Sequence, residues 1–165
     1  MHSVTKSDVE RVAGGHHREA ARSLSLRAEA YTDDLWLDAD LHGVLARTWQ
    51  WVCHVSDVAR PGQYVSATIA TMPVVVIRDS DGALRAFYNV CKHRAHELVS
   101  GSGSARALVC PYHAWTFDLT GRLKSARHTD AMPDFDRGSI CLDGVRVEEF
   151  GGFVYVNLDP GAIPL

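Results

Sequence analysis

Two short segments, each pairing a cysteine with a histidine, constrain this chain more than any other feature. The first is Cys91-Lys92-His93 and the second Cys110-Pro111-Tyr112-His113, with residues 94–109 between them. Together they offer two thiolates and two imidazoles, a metal-ligand set split evenly over two loops, so the fold must bring those loops side by side. A structural zinc ion accepts two cysteines and two histidines in tetrahedral geometry. Zinc modules, however, usually pair Cys with Cys and His with His. Here each half is mixed, and the first has a single intervening residue.

A 2Fe-2S cluster with two cysteines on one iron and two histidines on the other, the Rieske arrangement, suits two loops that each give one ligand to each iron. Replacing two thiolates by neutral imidazoles removes two negative charges from the cluster and makes it easier to reduce. Such centres sit at roughly −150 to +300 mV, against about −400 mV for plant-type ferredoxins. The second ring nitrogens of His93 and His113 are then left for protonation or hydrogen bonding, which can couple reduction to proton uptake.

The bulk properties fit a chain of this kind. Its 165 residues are 46% hydrophobic and 22% charged, enough for one compact domain to bury a core without disulfides. A net charge of −3 gives no nucleic-acid footprint. The longest apolar stretches, such as Met72 to Ile77, are too short to span a bilayer, and the N-terminus lacks the pattern of a signal peptide. A cytoplasmic protein is expected. Four cysteines are too few for a secreted disulfide scaffold, and a reducing compartment suits the ligand role of two of them.

Residues 1–30 read as a polar arm or a frayed helix without an apolar face. From Asp34 to Trp51, Leu37, Leu41, Val44, Leu45 and Trp49 recur at helical spacing and predict one amphipathic helix. After Pro61-Gly62 the texture turns to β. Tyr64 to Ala70 alternates, Val74 to Ile77 is a continuous β-branched run, and Asp81-Gly82 marks a hairpin into Leu84 to Tyr88. Further strands are predicted at Ala105 to Val109, Ala114 to Asp118, Arg122 to Lys124, Val145 to Glu149 and Gly152 to Asn157. Ser100 to Ser104 reads as a loop. This many short strands imply a mainly β sandwich or small barrel with an N-terminal helix.

Cys91-Lys-His-Arg-Ala-His96 and Cys110-Pro-Tyr-His-Ala-Trp-Thr-Phe-Asp-Leu-Thr-Gly-Arg122 resemble the Rieske segment of the large (alpha) subunits of Rieske non-haem iron oxygenases. The resemblance runs over roughly residues 25–162, and Gly152 to Pro160 is similar to the strand that closes that family's Rieske domain. It implies an N-terminal arm at 1–30 and a Rieske 2Fe-2S domain at 31–165, with cluster-binding loops 91–96 and 110–115. Cys91, His93, Cys110 and His113 are the implied ligands of the cluster. Ala95 departs from the glycine the family often has there, and alanine is expected to do little harm. In the respiratory branch of Rieske proteins each loop carries an extra cysteine, and the two form a disulfide. Tyr112, and the lack of a cysteine between Arg94 and Val109, exclude that bridge.

The resemblance further implies a C-terminal domain that holds a mononuclear Fe(II) on two histidines and a carboxylate. No Asp-x-x-His-x-x-x-His pattern occurs in the 165 residues, so that catalytic domain is expected to be absent here and no catalytic residue is assigned. The implied role is electron transfer within an oxygenase terminal component, an oxidoreductase. Its donor is a ferredoxin or flavin reductase, and its neighbours are oxygenase subunits in a homo-oligomer such as a trimer. His93 to Gly103 and Ala126 to Asp130 are more similar to oxygenases of quaternary ammonium compounds, of the glycine betaine or choline type, than to arene dioxygenases. A stand-alone Rieske ferredoxin is the alternative, and a zinc-stabilised module a more distant one.

Around the loops, Trp115 is positioned in sequence to shield the cluster, and Arg94 to bond a neighbouring carboxylate or a partner. Cys53 and Cys141 read as buried small hydrophobes. His96 is out of register with the ligands, and His16, His17, His42, His54 and His128 read as ordinary polar residues. Between Lys92 and Arg127 six basic residues (Lys92, Arg94, Arg106, Arg122, Lys124, Arg127) face two acidic ones (Glu97, Asp118). That is a collar able to steer an acidic partner or simply a solvated surface.

Overall fold

In a computed structural model, which describes residues 4–127, 129 and 132–165, the chain divides into two compact units, Met1–Ala46 and Arg47–Leu165. The first is helical. Helix α1 (Lys6–Ala13) opens with a capping box in which Thr5 and Asp8 exchange bonds, satisfying amides that the helix itself cannot pair. Two more short helices follow, α2 (Glu29–Thr32) and α3 (Asp34–Ala39), the latter capped by Asp33 and widening into a π-helical turn over Asp40–Leu45.

The single helix predicted from Asp34 to Trp51 therefore ends early, at Leu45. Strand β1 occupies Gln50–His54 instead. Leu37, Val44 and Leu45 are exposed, so the apolar spacing did not mark a buried face. Strand pairing wins at the C-terminal end: Gln50, Trp51, Cys53 and His54 lie opposite Val156, Tyr155, Val154 and Phe153, an antiparallel ladder that outweighs local helix propensity.

The second unit is built on β1 and nine further strands: β2 (Gln63–Ile69), β3 (Met72–Arg78), β4 (Leu84–Tyr88), β5 (Ser102–Ser104), β6 (Leu108–Val109), β7 (Thr116–Phe117), β8 (Leu123–Ser125), β9 (Gly144–Phe150) and β10 (Phe153–Asn157). Seven form one antiparallel sheet in the order β1-β10-β9-β4-β3-β2-β5. It curls enough to bring β1 near β2 while β1 and β5 remain its edges, an open, barrel-like sheet within the mainly β class expected. The other three make a small sheet in the order β6-β7-β8. Ser102–Ser104, read from sequence as loop, is an edge strand paired to β2.

The β-branched run in β3 has a direct cause. Val74, Val75, Val76 and Ile77 are all fully buried, because the strand carries an apolar core on each face. Val74 and Val76 join Val52, Val58, Ala86, Val145, Val154 and Val156 inside the curled sheet. Val75 and Ile77 turn the other way, to Phe87, Leu108, Phe117, Leu123, Cys91 and Cys110. The cysteine-bearing loops are thus seated on the back of the strand that also anchors the curled sheet.

The hairpins are fixed by side-chain chemistry. Between β3 and β4, Asp79 Oδ1 accepts the amides of Asp81 and Ala83 at 2.9 and 2.8 Å, while Oδ2 pairs with Arg85 Nε at 2.5 Å. Between β7 and β8, Asp118 Oδ1 accepts the amides of Thr120 and Arg122, each at 3.0 Å. Gly151 and Gly152, both at positive φ, form the two-residue turn that joins β9 to β10.

Candidate metal centre

The two Cys-His segments form loops with nearly the same backbone. In each, the cysteine carbonyl accepts the amide four residues on, Ala95 N to Cys91 O and Ala114 N to Cys110 O, both at 2.9 Å. In each, the cysteine amide donates to the carbonyl five residues on, that of His96 at 2.9 Å and that of Trp115 at 2.8 Å. Each turn leaves through a left-handed alanine, Ala95 at φ +55° and Ala114 at φ +58°. The histidine stands third in the first loop and fourth in the second. Despite that offset the two rings meet, with His93 and His113 centroids 4.7 Å apart at 69°.

Ala95 was expected to be harmless because it is small. Size is not the relevant property. A left-handed φ brings Cβ toward the carbonyl oxygen and costs an L-residue roughly 1–2 kcal/mol, so both loops carry backbone strain that glycine would relieve.

Thiols and rings are segregated. Cys91 and Cys110 are 2% and 3% exposed, inside the apolar cluster with Val75, Phe87 and Phe117. His93 lies exposed at the surface, while His113 Nδ1 is out of contact with solvent. Burial pushes the Cys91 thiol up, the amides of His93 and Arg94 facing its sulfur pull it down, and the adjoining Cys110 sulfur raises it again. The sulfurs are therefore neighbours in an apolar floor, with backbone N–H groups aimed at one of them. Among the described residues no three Cys, His, Asp or Glu side chains converge on a single ion position. The four residues instead pair sulfur with sulfur and ring with ring.

Aromatic side chains hold the rings. Trp115, 7% exposed, stacks on His93 at 4.8 Å and 9°, and Phe135 meets its edge at 5.7 Å. Tyr112, exposed itself, stacks on His113 at 3.8 Å and 28°. Sequence reasoning singled out Trp115 but missed the stacking role of Tyr112, for which a ring beside a histidine was the only signal.

The remaining sequence candidates separate. Arg94 is exposed and contributes its amide to the Cys91 environment. His96 turns its Nδ1 to the carbonyl of Glu97 at 2.6 Å, and its ring lies 5.8 Å from that of Tyr112. Cys53 is buried as expected, its thiol pushed up to about 11 by burial and by Asp57. Cys141 is exposed, contrary to expectation; it flanks β8 in an isolated bridge to Arg122. His128 lies outside the described residues. The basic collar is partly neutralised, since Lys92 pairs with Asp143 and Lys124 lies 4.0 Å from Asp118.

The family model of the Rieske [2Fe-2S] domain matches residues 48–136. This chain belongs to that family. The Rieske domain is 43% identical over 133 residues to the carnitine monooxygenase oxygenase subunit of Acinetobacter pittii (strain PHEA-2), a match covering 80% of this chain and 36% of the relative. It is 35% identical over 149 residues to the glycine betaine monooxygenase oxygenase subunit of Pseudomonas aeruginosa (strain UCBPP-PA14), covering 88% and 34%. The crystal structure of the quaternary ammonium Rieske monooxygenase CntA with L-carnitine superposes with a TM-score of 0.78 at 42% identity, covering 82% of this chain and 39% of that one. The chain thus spans little more than a third of the length of these relatives.

The residues present fit the family's cofactor. A Rieske 2Fe-2S cluster asks for two thiolates and two imidazoles from paired loops, and this Rieske domain has two adjacent thiols in a dry floor with two adjacent rings beyond them. Among the described residues no helix is long and apolar enough to cross a membrane.

Proposed function

We propose that Cys91 and Cys110 hold one iron and His93 and His113 the other, in loops 91–96 and 110–115 of a Rieske domain spanning residues 31–165. The observation that carries this reading is the matched pair of loops, whose shared turn places the thiols together and the rings together. When bound, the cluster supplies one-electron storage at roughly −150 to +300 mV, fed by a ferredoxin or flavin reductase and spent at a mononuclear iron site outside residues 1–165. The chain's own residues shape that role. Leu108, Phe117 and Trp115 keep water from the sulfurs, while exposed His93 and Tyr112 present the imidazole side to a partner. Exposed Arg94, next to His93 in the chain, favours an acidic donor protein.

For the whole protein the reading is the oxygenase subunit of a multicomponent monooxygenase, assembled with further copies. Its substrate class is a quaternary ammonium compound of the carnitine or betaine kind, supported by the identity to the carnitine and glycine betaine relatives.

Anaerobic purification, iron, zinc and sulfide analysis, and EPR before and after dithionite test the centre. Two irons and two sulfides per chain, with the low average g value of mixed Cys and His ligation, are expected in the native protein. Cys91→Ser and His113→Ala should each abolish that signal. A colourless protein with one zinc, unchanged by iron and sulfide reconstitution, would overturn the reading.

A further inference from the structure

The two ligand loops share a turn but differ at their bases. The second is closed by a ladder, with Leu108 opposite Phe117 and Val109 opposite Thr116. The first has no such ladder: β4 ends at Tyr88 and the next strand opens at Ser102. One side chain spans that gap. Asn89 is 1% exposed, and its Oδ1 accepts the amides of Leu98 and Val99, each at 3.2 Å. Its Nδ2 donates to the Val99 carbonyl at 2.7 Å. Its own amide donates to the carbonyl of Pro73 in β3 at 2.9 Å.

A carboxamide that both accepts from and donates to the same facing residue reproduces the exchange made by one hydrogen-bonded residue pair of an antiparallel ladder. We infer that Asn89 is a positioning residue of the metal centre. It stands in for the missing bridge, sets the width of the first loop at its base, and so fixes where Cys91 and His93 sit relative to Cys110 and His113. The inference rests on the ligand assignment proposed above. Its physical force comes from burial: a carboxamide in this floor has no water to turn to, so losing it leaves the Leu98 and Val99 amides and the Val99 carbonyl without their partner. The loop must then open to solvate them.

The test compares Asn89→Ala and Asn89→Asp with Val74→Ala, a fully buried deletion on the opposite face of β3, in the full chain. Asp keeps the two accepted bonds and loses the donated one. In the iron-loaded protein, Asn89→Ala is expected to shift the EPR g values and the reduction potential, and to release iron to a chelator at least tenfold faster than Val74→Ala does when urea brings the two to equal stability. Asn89→Asp should shift the same readouts and keeps the test open if the alanine variant does not fold. Wild-type g values and potential in a folded Asn89 variant, with iron release equal to that of Val74→Ala, overturn the inference.

Amide hydrogen exchange in metal-free protein separates the two readings. If the native chain takes up no iron-sulfur cluster, the ligand assignment fails. Selective acceleration at Leu98 and Val99 in Asn89→Ala would then still establish Asn89 as the clamp of this loop, and unchanged exchange there would overturn that too.

Discussion

Ala95 and Ala114 sit at matching positions in the two loops with φ near +55°, a conformation that glycine adopts without penalty. Replacing either by glycine should raise stability by about 0.5–1 kcal/mol, the left-handed cost less glycine's extra chain entropy, read as a higher urea midpoint. Asp79 gives a second residue-level expectation. Burial raises its carboxyl, but the Arg85 guanidinium and the amides of Ala83 and Asp81 outweigh burial and hold it below the usual 3.8. A lowered folded-state value means that its contribution is complete above the unfolded value and is lost as pH falls through the folded one. Urea midpoints should therefore fall below about pH 4 more steeply in the native chain than in Asp79→Asn, and parallel curves would contradict this. At this scale the sequence was most legible where chemistry needs particular atoms. Cys91, His93, Cys110 and His113 stand out by type and spacing alone, whereas Asn89 does not, because its task is geometric and an asparagine after a strand looks like any turn residue.

Among the elements, β3 was readable because burial on both faces demands a continuous β-branched run, and the hairpins because Asp and Gly mark them. β1 was missed because Trp49 and Trp51 prolong the apolar spacing of the preceding helix, so the switch of period is masked. β5 was missed because Ser102-Gly103-Ser104 has no side-chain signal, and only its pairing with β2 makes it a strand. The β7–β8 hairpin supplies a sharp test. Gly121 lies at φ +86°, and a Cβ there would come within 2.7 Å of the Phe87 ring, whereas Gly82 at φ +82° has open space around it. Gly82→Ala should cost about 0.5–1 kcal/mol, the left-handed penalty less the chain entropy that alanine does not lose. Gly121→Ala should cost that plus about 1–3 kcal/mol of overpacking, so their denaturation midpoints must differ. Equal midpoints would mean that Phe87 yields freely.

For the whole molecule, two cores share one strand. Amides of Val74 to Ile77 should exchange with solvent only on global unfolding, and those of the Ser102–Ser104 edge by local opening, many times faster, in hydrogen-exchange spectra. Uniform exchange across the sheet would show that the edge does not open on its own. The partners of the ladder also lie at very different distances along the chain. The β6-β7-β8 sheet is made from residues 108–125 alone, so it can form among neighbours. β1 and β10 must instead meet across about 100 residues, and the length-dependent part of that closure is about 4 kcal/mol of chain entropy. A chain emerging from its N-terminus can therefore close the second ligand loop on residues 108–125 before the strand that completes the curled sheet is available to pair.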